Sequence, residues 1–284
     1  MDESNMTIAE IRRGQIYTID CKFDLREQEL PIILIITLMA NIVSVLGLFN
    51  MPTKESTINQ MMVKILAVSD LVTTVFILAQ WVANVSNCRV FGGQLGCTIT
   101  GWITSTLVIW SAAVVTTMNL CRYMSVSKPI FYRHSVTKKK ILISLCGSFV
   151  WILFEMSLPL YGIAGPFRFY AGNKICSYDF SAGNYGMFHR VTVGFLGAYG
   201  IGTIIIVIYC NISIVYQVNQ RKRNNKPATT ATQGSQRNET ASVSRTTAAV
   251  AGAYTICYGP FLSVQDNYSF QHDFLNFFLG PIGD

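Results

Sequence analysis

The stretch that decides the fold is MNLCRY, Met118–Tyr123, in which a long uncharged run ends on an arginine and a tyrosine. The run before it, residues 97–120, contains no Asp, Glu, Lys or Arg. It is as long as a helix must be to cross about 30 Å of hydrocarbon. Because a charge inside hydrocarbon costs free energy, Arg122 is expected where the helix leaves the membrane. We therefore predict a membrane span, residues 97–120, that ends just before Arg122.

The same apolar pattern recurs along the chain. Of the 284 residues, 51% are hydrophobic and 13% are charged, which is too few charges to cover a soluble domain of this size. We predict an all-α membrane protein, a bundle of seven transmembrane helices in which the seventh is incomplete or atypical. The predicted spans are residues 30–49, 63–85, 97–120, 141–163, 191–218 and 241–264, with a poorer stretch at 274–282.

The basic residues indicate how the chain is oriented. Lys and Arg are concentrated in the loops on one side of the membrane, including residues 138–140 and 221–226, whereas residues 1–29 balance basic with acidic side chains. The positive-inside rule then places the N-terminus outside, with the chain as a multi-pass protein of the plasma membrane. This topology accounts for the formal charge of +7, so we expect membrane lipids and no nucleic acid as partners.

The spans divide the chain into three parts. Residues 1–29 are the predicted extracellular segment, with a glycosylation sequon at Asn5, and show no cleavable signal peptide. Residues 30–264 form helices 1–6 with their loops, of which the polar loop at about 219–240 is expected to be cytoplasmic and disordered. Residues 265–284 form a shortened outer loop and a partial seventh helix. A second sequon, at Asn84, falls close to the bilayer.

Polar residues and prolines at fixed places in the spans resemble those of rhodopsin-like (class A) G-protein-coupled receptors. They occur in that family's order and at its approximate spacing over most of the chain. The matching positions are Asn41, Leu66–Asp70, Cys97, Cys121–Tyr123, Trp151, Pro159, Cys176, Tyr209 and Cys257–Phe261.

The resemblance implies a function. Receptors of this family bind an extracellular ligand and activate a heterotrimeric G protein when the inner half of the sixth helix swings outward. Proline removes a backbone hydrogen bond, so Pro260 would supply the hinge. The residues implied in the switch and in G-protein coupling are Arg122, Tyr123, Tyr209, Tyr258 and Pro260.

The resemblance also implies a disulfide between Cys97 and Cys176, which would fix the outer loop over the mouth of the bundle. It implies that Asp70 and Asn41 form a sodium site, because a hard cation prefers oxygen ligands. Apart from that allosteric sodium ion, no cofactor or metal is expected. The three histidines lie far apart and no catalytic motif is present, so we do not expect an enzyme.

Two substitutions depart from the family pattern. Cys121 stands where the family has an acidic neighbour of the arginine, so the ion pair that helps to hold the resting state is missing. We therefore expect a higher activity without ligand. Tyr258 stands where the sixth helix usually has Trp, which leaves the switch plausible but its details open.

The ligand site implied by the resemblance combines aromatic, aliphatic and hydroxyl side chains. Thr104 replaces the Asp of amine receptors, so a monoamine is not expected, and the composition suits a lipid or another mostly apolar ligand. The pocket residues are Trp81, Trp102, Thr104, Ser105, Val108, Tyr258 and Phe261.

Two segments, Arg122–Tyr132 and Ser157–Gly162, are similar to prostanoid receptors. Gln271, however, stands where those receptors carry an arginine for the ligand carboxylate. A lipid mediator of prostanoid type, a peptide and another small ligand all remain open.

The C-terminal segment is shorter than the family pattern requires. A helix rises 1.5 Å per residue, and too few residues separate Pro260 from Pro281 for an exit, a turn and a second crossing. The chain is then a receptor with an incomplete last helix, an incompletely predicted gene product, or a truncated form that does not signal. We favour the second. A membrane transporter is the alternative from another class of protein.

Overall fold

The computed structural model describes residues 29–50, 58–87, 90–170, 174–180 and 186–224. Within these ranges the chain is almost entirely helical, and the predicted sixth and seventh spans lie outside them. The helices are α1 (Glu29–Asn50), α2 (Ile58–Asn87), α3 (Gly93–Ser127), α4 (Pro129–Ser135), α5 (Lys138–Ser157) and α6 (Met187–Asn224), and a 3₁₀ turn (Leu158–Tyr161) follows α5.

Five of the described helices are long and apolar enough to cross a membrane: α1, α2, α3, α5 with its 3₁₀ turn, and α6. They confirm the first five predicted spans and the all-α class. The helices α1, α2, α3 and α6 extend beyond their predicted spans at both ends, since their backbone hydrogen bonds continue into the polar flanks. The helix α5 ends at Ser157 and its 3₁₀ turn at Tyr161, short of the predicted end at residue 163. The helix α6 reaches Asn224, inside the segment that the sequence predicted as a disordered loop from about 219.

Local chemistry sets the helix ends on the side of Arg122. Lys128 leaves helical geometry (φ −134°, ψ 66°) because it precedes Pro129, whose ring disfavours the α conformation of its neighbour. Pro129 then begins α4, where a missing backbone N–H costs nothing. Thr137 caps α5 by accepting a hydrogen bond from the backbone N–H of Lys140. The short helix α4 was not predicted.

The helix α3 is the centre of the bundle. One apolar cluster joins Ala113 of α3 to Ile152 and Met156 of α5 and to Val193 and Leu196 of α6. Large apolar side chains are exposed along the outer faces of α1, α5 and α6, as expected where lipid is the solvent. Lipid tails are as apolar as these side chains, so close packing and interhelical hydrogen bonds hold the helices together.

A second cluster lies closer to Arg122. It joins Met118 and Cys121 of α3 to Met62 of α2 and to Ile141 and Leu145 of α5. The helix α3 therefore contacts α2 and α5 at this depth, and it also contacts α6 here, where Asn119 bonds to Asn211.

A two-stranded hairpin lies at the other end of α3. Strands β1 (Phe167–Tyr170) and β2 (Ile175–Tyr178) are antiparallel, with Phe169 opposite Cys176. An outer loop was predicted to contain Cys176, and its hairpin was not predicted. Cys176 is bonded to Cys97, with 5.3 Å between their Cα atoms, so the predicted disulfide is confirmed. We call this side of the bundle the disulfide end and the opposite side the Arg122 end.

The hairpin has a second anchor at Tyr178, which is fully buried. Its hydroxyl donates to the carbonyl oxygen of Ala164. The Nδ1 atom of His189 lies 2.7 Å from that carbonyl oxygen and 3.0 Å from the Tyr178 hydroxyl. Gly165, at φ +83°, allows this approach because a Cβ atom there would meet His189 Nδ1 at 2.2 Å. These contacts tie the hairpin to the first turn of α6.

Replacing Cys97 by Ser should destabilise the disulfide end. Loss of a disulfide typically costs about 2–4 kcal/mol, so the melting temperature of the purified protein should fall clearly. Cys146 is a free, exposed cysteine, and Cys146→Ser is the matched control that should leave the melting temperature unchanged. Equal melting temperatures for the two variants would contradict a stabilising role for the disulfide.

Candidate functional site

Arg122 is buried at one end of α3. Its side chain is 7% exposed, and its Nη1 atom has no hydrogen-bond partner among the residues that the structure describes. Its neighbour Cys121 is also buried and packs among apolar side chains of α2 and α5. A thiol cannot neutralise a guanidinium, so the local chain does not supply the counter-charge of Arg122.

Tyr123 and Tyr209, both predicted in the switch, lie side by side. Their ring centroids are 5.8 Å apart. Tyr209 is 58% exposed, so its ring lies on the outer side of α6. Asn211, two residues further along α6, occupies the buried side instead and bonds to Asn119. Tyr258 and Pro260, the other predicted switch residues, lie outside the described residues.

The helix α4 covers part of the Arg122 end. Tyr132 packs against the cluster that contains Cys121, and burial raises the pKa of the Tyr132 phenol, with a smaller contribution from Cys121. On its other side α4 exposes two large apolar residues, Ile130 (82%) and Phe131 (55%). Both follow the end of the span at Ser127. This surface was not predicted, because the seven residues of α4 are too few to show a helical period.

Asp70 is the centre of a polar cluster in the middle of the bundle. The Ser111 hydroxyl of α3 donates to Asp70 Oδ1 at 2.9 Å and lies 2.9 Å from the Ser69 hydroxyl. Asn41 donates to the Thr74 hydroxyl at 3.2 Å. The structure therefore brings Asn41 close to the helical turn that follows Asp70, and brings Ser111 to the carboxylate.

The oxygen atoms that could bind a cation here belong to the Asp70 carboxylate and to two hydroxyls, and a hard cation such as sodium prefers oxygen ligands of this kind. Asp70 and Asn41 were predicted for this site. Ser69 and Ser111 were not, because a serine in a span has no distinctive sequence signal and its partner depends on how two helices face each other. The residues present fit a sodium ion.

The predicted ligand residues of α2 and α3 lie towards the disulfide end. Trp102 packs against the cluster that includes the hairpin, and its indole Nε1 has no partner among the described residues. Thr104 is buried, and its hydroxyl also lacks a partner within the described ranges. Trp81, Ser105 and Val108 are half-buried. Tyr258 and Phe261 lie outside the described residues.

Gln80 is a further candidate for this site that the sequence did not single out. Its Nε2 donates to the Thr100 hydroxyl at 3.0 Å, and its Oε1 is buried without a partner among the described residues. Thr104 follows Thr100 by one helical turn, so both face the same way on α3. The two helices thus present uncharged hydrogen-bonding atoms at neighbouring positions.

The side chain of Asn84, the asparagine of the second sequon, is buried and hydrogen-bonded. Asn84 is 1% exposed, donates to the carbonyl oxygen of Lys174 at 2.8 Å and accepts from the backbone N–H of Phe91 at 2.9 Å. A side-chain amide used in this way is not accessible to a glycosyl donor. The predicted glycosylation at Asn5 lies outside the described residues.

Comparisons with known proteins agree with this arrangement. A crystal structure of squid rhodopsin superposes with a TM-score of 0.66 at 17% identity, covering 82% of this chain and 68% of that chain, so the two share a fold. A comparison with curated protein sequences found no match. Residues 40–278 match the family model described as 7 transmembrane receptor (rhodopsin family). The chain therefore belongs to the rhodopsin family of seven-transmembrane, G-protein-coupled receptors.

Proposed function

We propose that the chain is a plasma-membrane receptor with its N-terminus outside, which binds a mostly apolar ligand near the disulfide end and activates a heterotrimeric G protein at the Arg122 end. The observation that carries the proposal is that the buried Arg122 and the exposed apolar residues of α4 lie at the same end of α3. A change in helix packing that exposes Arg122 would present a cation and an apolar surface together. Outward movement of the predicted sixth membrane span, residues 241–264, about Pro260 would be that change.

The exposure of Ile130 and Phe131 supports a protein partner at this end. These side chains lie beyond the span, where water replaces lipid, and exposed apolar side chains grouped beside charges are typical of interaction surfaces. Lys128 and Arg133 are exposed close to them. An apolar centre with a basic rim fits a partner segment that is itself apolar and acidic or carboxyl-terminated.

The chemistry at the disulfide end supports an uncharged, mostly apolar ligand. Residues 71–87 and 93–117, the halves of α2 and α3 towards that end, contain no Asp, Glu, Lys or Arg. Thr104 and Gln80 each keep a polar atom without a partner among the described residues. A lipid mediator with a hydroxyl or amide group would satisfy both atoms.

Arg122→Ala tests the coupling. In lipid nanodiscs with a panel of purified G proteins, ligand-free nucleotide exchange should fall to the level without receptor, because the cation that contacts the G protein is gone. Ile130→Ala should reduce exchange in part. Arg190→Ala removes an exposed arginine at the disulfide end and is the matched control. Exchange that persists in Arg122→Ala, or transport of solutes by the wild type, would refute the proposal.

Cys121→Asp tests the missing counter-charge. A carboxylate next to Arg122 should stabilise the packing that buries the guanidinium, and a gain of about 1 kcal/mol would lower ligand-free exchange about fivefold. Cys121→Ser adds no charge and serves as the control. A higher or unchanged exchange rate in Cys121→Asp would show that the thiol does not set the activity without ligand.

We also propose that sodium binds beside Asp70 with the hydroxyls of Ser69 and Ser111. At a sodium concentration tenfold above Kd, binding to the folded state alone would add about 1.4 kcal/mol of stability. Sodium chloride should therefore raise the melting temperature relative to choline chloride of equal ionic strength, and Asp70→Asn should abolish the difference. Ser148→Ala, a hydroxyl change on α5, is the control. An equal sodium effect in Asp70→Asn would refute the site.

A further inference from the structure

Two side-chain amides join α3 to α6 at the Arg122 end. Asn211 donates through Nδ2 to Asn119 Oδ1 at 3.1 Å. Gln217 donates through Nε2 to the Ser127 hydroxyl at 2.6 Å. We call these two contacts the amide seam. Both helices run from the disulfide end to the Arg122 end, so the two bonds lie in the same order along each helix.

The contact between Asn119 and Asn211 satisfies a polar atom that would otherwise be buried without a partner. Asn119 and Asn211 are both buried, and each also donates to a carbonyl oxygen of its own helix, Val115 at 2.8 Å and Val207 at 2.7 Å respectively. If the helices separated, Asn119 Oδ1 would lose its partner in a medium without water. A buried amide oxygen without a partner costs free energy, so the pair opposes separation.

The amide seam brackets Arg122 along α3. Arg122 lies three residues after Asn119 and five before Ser127. Tyr123 and Tyr209 add a ring contact on the outer side of the same interface, and Val115 and Val207 continue it with an apolar contact towards the disulfide end. The stretch of α3 that carries Arg122 is therefore held against α6 on both sides.

We propose that the amide seam holds the resting packing in which Arg122 is buried, and so acts where Cys121 supplies no charge to pair with the guanidinium. The proposal rests on the proposed G-protein coupling for its consequence and on the α3–α6 contacts for its cause. Opening the seam separates α3 from α6 at the Arg122 end and loosens the packing around Arg122, which the movement about Pro260 then exposes. Asn119, Asn211, Ser127 and Gln217 are then positioning residues, which act on the G protein through Arg122.

Apolar replacements of similar size test the seam. Asn119→Leu and Gln217→Leu each remove one interhelical bond, and an average bond of this kind in a membrane corresponds to about a threefold change in an equilibrium. Each variant should therefore raise ligand-free nucleotide exchange about threefold. Tyr178→Phe is the control, since it removes a buried hydroxyl at the disulfide end and should destabilise the protein without raising exchange.

A distance measurement separates this proposal from the proposed function. Lys128 and Gln220 are exposed at the Arg122 ends of α3 and α6, so nitroxide labels on cysteines at these positions report the spacing of the helices. The full chain is labelled in nanodiscs, in a background that lacks the other reactive thiols. Asn119→Leu should shift the distance distribution to longer values, and Tyr178→Phe should not.

The outcomes are distinct. A longer distance together with higher exchange supports the proposal. An unchanged distance in both Asn119→Leu and Gln217→Leu overturns it, whatever the exchange assay gives. A longer distance while the wild type and every variant fail to stimulate exchange supports the seam as the contact that holds α3 against α6, and refutes the coupling instead.

Discussion

The constraint on which the structure depends is that a polar atom inside a bilayer has no water to bond with. Backbone groups meet it by forming helices, and side chains meet it by bonding to the next helix. The helix α3 lies between α2, α5 and α6 and carries the polar side chains that make these bonds. Ser111 reaches Asp70 of α2, and Asn119 reaches Asn211 of α6. The rotations of α2, α3 and α6 about their axes are thereby fixed by a few hydrogen bonds as well as by packing.

The sequence predicted the features that depend on composition and missed those that depend on how helices face each other. Uncharged runs predicted the five spans that the structure describes, because hydrocarbon selects against charge along a whole helix. The disulfide of Cys97 followed from the family resemblance. Ser111 and Gln217 were not predicted, since nothing local to either residue reveals its partner on another helix.

Tyr209 and Asn211 illustrate the same limit. They are two residues apart on α6, so they point to nearly opposite sides of the helix, at about 100° per residue. The resemblance selected Tyr209, whereas the buried contact with Asn119 is made by Asn211. A motif match identifies a position along the chain, but an interhelical contact also requires the angle at which the side chain leaves the helix. That angle came from the structure.

The two ends of the bundle are held by interactions of very different strength. At the disulfide end, a covalent bond and the buried contacts of Tyr178 join the hairpin to α3 and α6. At the Arg122 end, α3 and α6 are joined by hydrogen bonds, ring contacts and packing, each worth roughly 1 kcal/mol in a membrane. A ligand can shift an equilibrium only by the difference in its affinity for the two states, typically 1–3 kcal/mol. That amount is enough to open the weaker end and too small to break the stronger one. If the chain couples as proposed, we therefore expect the change in packing at the end that carries Arg122, with the disulfide end keeping its shape.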